Sequence, residues 1–127
     1  MYHESFYQIY SYSNLGLILP GGRSPEYLRN NDRVIEIINE MFGKKVICVI
    51  CHGTLLLAAI GKKCDVTCYP ACRYDVKSAG LNYIGKDDVF DNVVVDEKNK
   101  VVSTPAWTGH PEVLRKFVEL LGASIKI

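Results

Sequence analysis

Net charge is nearly absent from the chain: fifteen basic side chains face fourteen acidic ones among 127 residues, leaving +1 at neutral pH. Such a balance offers no electrostatic footprint for nucleic acid and no polybasic attraction to a membrane surface, so the expected partner is a small neutral molecule or another protein. A long apolar run is missing too. The longest, Val46 to Ile60, contains Cys51, His52 and Gly53 and falls short of the ~18 residues that mark a membrane-spanning helix. The N-terminus MYHESFYQIY has no basic region leading into an apolar stretch, which argues against a secretory signal or transit peptide and for a cytoplasmic protein. No repeat, low-complexity tract or Pro/Gly/Ser-rich linker divides the sequence. A single domain over residues 1–127 is therefore expected, with an apolar fraction of 48% sufficient for one core. The five cysteines are an odd number, and in a reducing compartment thiols are more often buried, metal-bound or reactive than bridged.

What is present alternates between strand and helix patterns. Leu15-Gly-Leu-Ile-Leu19, closed by Pro20-Gly21-Gly22, reads as a buried strand ending in a tight turn. Pro25-Glu26 opens a helical pattern carrying Leu28, Val34, Ile35, Ile38 and Met41, with Gly43 as its stop. Val46-Ile-Cys-Val-Ile50 is apolar at every position, as a central strand of a parallel sheet covered on both faces should be. A helix over Leu55 to Ile60 follows, ending at Gly61. Phe90 to Val95 and Lys100 to Thr104 flank the polar Asp96-Glu-Lys-Asn99, which favours a β-hairpin. Pro111-Glu112 starts a terminal helix capped by Gly122. The class is α/β.

In Val49-Ile50-Cys51-His52-Gly53 a nucleophile-capable residue stands between the end of a buried strand and the start of a helix. Such a turn lifts the side chain out of the sheet, the helix N-terminus favours a thiolate, and free backbone N–H groups can receive an oxyanion. Small residues two before and two after the nucleophile relieve crowding there. Gly53 meets that requirement and Val49 does not. The competing reading is a strand-end cysteine acting as a small buried hydrophobe.

Leu17-Ile-Leu-Pro-Gly-Gly-Arg-Ser-Pro-Glu-Tyr-Leu28, Ile50-Cys-His-Gly53, Tyr69-Pro70 and Ala106-Trp-Thr-Gly-His-Pro-Glu112 together resemble, in order and spacing, the motifs of the ThiJ/PfpI superfamily, in particular its PfpI branch. The resemblance runs over residues 15–122. It implies a flavodoxin-like parallel sheet with helices on both faces, similar to class I glutamine amidotransferases, together with the hairpin. It also implies cytoplasmic oligomers, no metal or organic cofactor, and activity as a glutathione-independent glyoxalase, a deglycase or an intracellular cysteine peptidase. By motif, Cys51 corresponds to the nucleophile, His52 to its elbow neighbour, and Glu26 to the acid of a Cys-His-Glu set, which in PfpI-type oligomers comes from an adjoining subunit. The backbone N–H groups of Gly22 and His52 correspond to the oxyanion hole, with Gly22 permitting close approach.

The departures from the family pattern bear on activity. Family members place a strand, a helix bearing a sulfur-contacting carboxylate and further strands before the Pro-Gly-Gly turn. About twenty residues precede it here, so the expectation is an N-terminally truncated version of the fold in which Glu4 has no assigned role. Tyr69 stands where the branch with a Cys-Ala-Gly elbow has a His, and Thr54 replaces a common Pro.

Three readings follow from the resemblance and its departures. The first is a cysteine-dependent glyoxalase or deglycase acting on methylglyoxal or its adducts. The second is a PfpI-type peptidase. The third is a non-catalytic, redox-responsive or truncated structural homologue. Elsewhere, Cys64, Cys68 and Cys72 recur every four residues without the second Cys or His pair of a zinc template, so buried or surface thiols are expected rather than a metal site. His110 suits a packing or capping role before the terminal helix. Trp107 is expected to fill the core or line a pocket, and the role of Arg23 stays open.

Overall fold

The computed structural model describes residues 15–85 and 90–122; the sequence readings on residues 1–14 lie outside it. Strand β1 (Leu17–Leu19) leads through the Gly-Gly turn into helix α1 (Ser24–Leu28), then α2 (Asp32–Met41), strand β2 (Ile47–Ile50), a single 3₁₀ turn over Cys51–Gly53 and helix α3 (Thr54–Ile60). Next come β3 (Asp65–Val66), α4 (Arg73–Ser78), β4 (Asn82–Tyr83), β5 (Val94–Asp96), β6 (Val101–Thr104) and the terminal α5 (His110–Leu120).

The main sheet has the order β1-β2-β6-β5. β1 and β6 both run parallel to β2, while β5 is antiparallel to β6, making the hairpin. In β2 the side chains divide between two cores with the period of two that a pleated strand dictates. Ile47 and Val49 pack with Ile38 and Met41 of α2, Leu55, Leu56 and Leu57 of α3 and Val76 of α4, whereas Cys48 and Ile50 pack with Val113 and Phe117 of α5. Helices thus cover both faces. β3 and β4 form a separate short parallel pair joined to the hairpin through side chains: Asp96 Oδ2 accepts from the Asp65 N–H at 2.8 Å, and Ser103 Oγ accepts from the Thr67 N–H at 2.9 Å. No helix among the described residues is long and apolar enough to cross a membrane.

One expected helix is two. The pattern from Pro25 to Met41 breaks at Asn31, whose extended backbone (ψ 111°) cannot continue a helix. Its side-chain oxygen accepts from the N–H groups of Arg33 and Val34 at 3.0 and 3.1 Å, satisfying donors that the first turn of α2 leaves open. The apolar spacing on both sides of Asn31 remained in phase and concealed the cap. Trp107 also departs from expectation: it lies outside the core, 72% exposed.

Replacing Asn31 with Ala should lower the unfolding free energy by about 1 kcal/mol with little change in the denaturant slope. Urea unfolding followed by circular dichroism measures this, and an unchanged midpoint would contradict the capping role.

Candidate active site at the β2–α3 elbow

β2 delivers Cys51 at the carboxyl edge of the sheet, where the chain must reverse into α3 within one turn. Cys51 accomplishes this at φ +59°, a left-handed conformation that an L-residue with a Cβ adopts only when its surroundings impose it. The thiol consequently leaves the plane of the sheet and is half-buried, unlike the four fully buried thiols of Cys48, Cys64, Cys68 and Cys72. Its Sγ lies 3.2 Å from Nδ1 of His52, within reach for a proton to pass between sulfur and imidazole. The imidazole is in turn stacked on the Tyr69 ring, with centroids 4.9 Å apart and planes inclined by 25°. The Tyr69 N–H donates to the Cys51 carbonyl at 3.5 Å. Tyr69 therefore touches both halves of the Cys51–His52 pair.

The Pro-Gly-Gly turn after β1 lies against this elbow, but the close approach belongs to Gly21 rather than Gly22. A Cβ on Gly21 would meet Cys51 Cβ at 2.6 Å and Sγ at 3.3 Å, whereas one on Gly22 would meet nothing within 4 Å. What Gly22 supplies is its backbone conformation, φ +81°, which turns the chain into α1. Gly53 supplies the second close approach, since a Cβ there would collide with the Leu19 carbonyl. The adjacent glycines are indistinguishable by sequence, so the close approach expected of Gly22 falls to its neighbour Gly21.

Glu26 sits half-buried in the first turn of α1. Among the described residues its carboxylate makes no hydrogen bond or ion pair with Cys51 or His52, and its charge adds to the rise of the Cys72 thiol. One chain thus brings Cys51 and His52 into contact, while α1, which carries Glu26, packs against the Cys51–Gly53 turn without a bond from the Glu26 carboxylate to either residue among the described ones. Arg23 is exposed just before α1, its carbonyl accepting from the Glu26 N–H at 3.2 Å. His110 is exposed at the start of α5. Cys64, Cys68 and Cys72 belong to the core beside α2–α4, and no three His, Cys, Asp or Glu side chains among the described residues are grouped to hold a metal ion.

Burial separates the thiols electrostatically. Desolvation pushes Cys48, Cys64 and Cys68 up to about 12 and Cys72 up to about 11, with neighbouring acidic groups such as Asp96 beside Cys64 and Asp75 beside Cys72 adding to the rise.

An α/β sheet with a cysteine on a strand-to-helix elbow defines a recognisable class of domain. The family model described as the DJ-1/PfpI family matches residues 2–120, and the chain belongs to that family. It is 37% identical over 126 residues to protein DJ-1 homolog D of Arabidopsis thaliana, covering 95% of this chain and 31% of that protein. Deglycase PfpI of Pyrococcus furiosus is 36% identical over 108 residues, 83% of this chain and 61% of the relative. Protein/nucleic acid deglycase 2 of Escherichia coli is 33% identical over 112 residues, 84% and 60% of the respective lengths. Among solved structures, Drosophila melanogaster DJ-1beta superposes with a TM-score of 0.70 at 21% identity, over 91% of this chain and 61% of that one. The chain therefore spans about three-fifths of its deglycase relatives and under a third of the plant protein.

Iodoacetamide applied to the native protein near neutral pH should modify Cys51 first, because the other four thiols are buried and protonated. Peptide mass spectrometry reads the order, and earlier labelling of Cys64, Cys68 or Cys72 would overturn it. Burial of the remaining thiols also sets a pH dependence. Since a raised folded-state pKa keeps the proton on the native protein, the stability it carries is present below about pH 9 and is lost as pH rises towards about 12. The urea midpoint should fall between about pH 8 and about pH 10.5, and fall less steeply in Cys48→Ala.

Proposed function

We propose that this chain is a thiol-dependent deglycase or glyoxalase-type domain that acts on methylglyoxal or on the adducts methylglyoxal forms with amines, with Cys51 as nucleophile and His52 as its proton partner. The observation that carries the reading is the Cys51 Sγ–His52 Nδ1 separation of 3.2 Å on a left-handed elbow, in a family whose relatives in Pyrococcus furiosus and Escherichia coli are named deglycases. With free methylglyoxal, the thiolate adds to the aldehyde carbon and forms a hemithioacetal. A proton then moves from that carbon to its neighbour, converting the ketone to an alcohol and the hemithioacetal to a thioester. Water cleaves the thioester and releases lactate and the free thiol, so the sum is methylglyoxal plus water giving lactate. With an amine adduct, the carbon–nitrogen bond breaks as the thiol takes its place and the amine leaves. The backbone N–H groups of Gly22 and His52 are the donors assigned to the developing oxyanion.

Glu26 enters this reading through association. The outer edge of β1 pairs with no other described strand, and beside it runs a groove of about 760 Å³ bounded by Ile18, Leu28, Val34 and Ile37 among others. An edge that no described strand pairs, next to an apolar groove, favours a homo-oligomer, in which Glu26 of one chain is offered to Cys51 of another.

Lactate formation from methylglyoxal, amine release from a methylglyoxal–acetyllysine adduct and casein hydrolysis should be assayed in parallel. The first two should be detected and lost in Cys51→Ser, while His52→Ala should lower kcat about 100-fold or more. Casein hydrolysis alone would replace the reading with a peptidase, and inactivity in all three assays would leave a redox-responsive homologue. Light scattering should show an oligomer, and Glu26→Gln should slow turnover; a monomer indifferent to Glu26→Gln would remove that residue from the site.

A further inference from the structure

Behind the elbow lies a set of hydroxyls that the chemistry above does not use. Thr54, Thr67, Ser103 and Thr104 are each 0% exposed. Thr54 Oγ1 stands 3.4 Å from the Cys51 carbonyl and 3.3 Å from the Thr67 carbonyl. A threonine hydroxyl has one proton, and two acceptors at nearly equal, rather long distances describe a donor shared between them. Thr67 is held in turn, its N–H donating to Ser103 Oγ at 2.9 Å at the end of β6. Cys51 is thereby linked through Thr54 and Thr67 to the strand beside its own. The left-handed backbone at Cys51, φ +59°, needs such a restraint, because a non-glycine residue stays there only where neighbouring contacts over-determine it.

We infer that Thr54 is a positioning residue for the nucleophile: its buried hydroxyl ties the Cys51 carbonyl to the Thr67 carbonyl and so holds the thiol in place against His52. The inference rests on the reading of Cys51 as the reactive thiol. It assigns a use to the position where the sequence departs from the family's common proline. Proline at the first position of a helix presets the backbone without any hydroxyl, whereas here threonine supplies the restraint through a side-chain bond.

Three variants isolate the hydroxyl. Thr54→Val keeps the shape and removes the donor, Thr54→Ser keeps the donor and removes the methyl, and Thr54→Ala removes both while leaving the Thr54 N–H free to reach the His52 carbonyl. For each folded variant, the rate of Cys51 alkylation by iodoacetamide is followed from about pH 5 to about pH 10. Loss of the restraint should slow Cys51 alkylation in Thr54→Val about fivefold or more and displace its pH profile, while Thr54→Ser stays near the wild type. If valine is not tolerated, alanine against serine compares the same pocket without and with the hydroxyl. A valine or alanine variant reacting as fast as wild type with an unmoved profile overturns the inference. So does a serine variant that behaves like valine, because packing of the methyl would then be the cause. Failure of the underlying reading is separately visible: wild-type Cys51 would then show no preferential alkylation at all.

Discussion

The carboxyl ends of β1 and β2 touch, and the contact is possible because a glycine stands on one side of each close approach. Gly53, at the end of the elbow, lies against the Leu19 carbonyl at the end of β1, and Gly21 lies against Cys51 Cβ and Sγ. Each glycine thus admits the other strand's turn, so the two turns are mutually seated rather than independently placed. Parallel pairing of Leu19 with Val49 brings both turns out at one edge, as adjacent parallel strands require. An extra methyl group at either position would part the turns and move the thiol relative to the Gly22 N–H. The donors named for an oxyanion depend on this seating, since they lie on the two different turns.

Conformational strain at Cys51 is the second consequence. The peptide there is restrained on its carbonyl by the Tyr69 N–H and the Thr54 hydroxyl, while the imidazole of the next residue is stacked on Tyr69. These contacts come from two directions, one from within α3 and the other from the segment after β3. The segment after β3 is fixed by the Ser103 hydroxyl, so the hairpin strand β6 also supports the elbow. Loss of order at β3 would therefore be felt at the thiol even though β3 contributes no reacting group.

The sequence made the central features legible where one physical demand dominated. An unbroken apolar run marks β2 because both its faces are covered, and a polar segment of four residues between β-prone runs marks the hairpin. Asn31 was hidden because capping depends on the local backbone, and the apolar positions before and after it fit one continuous helix. Trp107 lies in solvent although size and hydrophobicity argue for burial, because it opens a short 3₁₀ turn before α5. At the site, Cys51 and His52 were evident from adjacency to the strand end. The contacts of Tyr69 with this pair were not, because they join segments far apart along the chain, and the bond from the Thr54 hydroxyl to the Cys51 carbonyl depends on a backbone turn that spacing does not reveal.

Cys48 and Cys51 show why adjacency alone does not create a reactive thiol. The two residues are three positions apart in the same segment, yet Cys48 is fully buried in the core facing α5 and is pushed up to about 12 by desolvation. Had β2 continued as a regular strand, Cys51 would have faced the opposite side from Cys48, into the core shared by α2, α3 and α4, since side chains an odd number apart alternate faces. Its thiol would then have been subject to the same desolvation penalty. The left-handed turn prevents this by ending the pleat at Ile50 and lifting the sulfur to the sheet's edge beside an imidazole. The difference in burial between Cys51 and the other four thiols is accordingly a property of backbone geometry, and in the proposed site the residues that maintain that geometry matter alongside the sulfur.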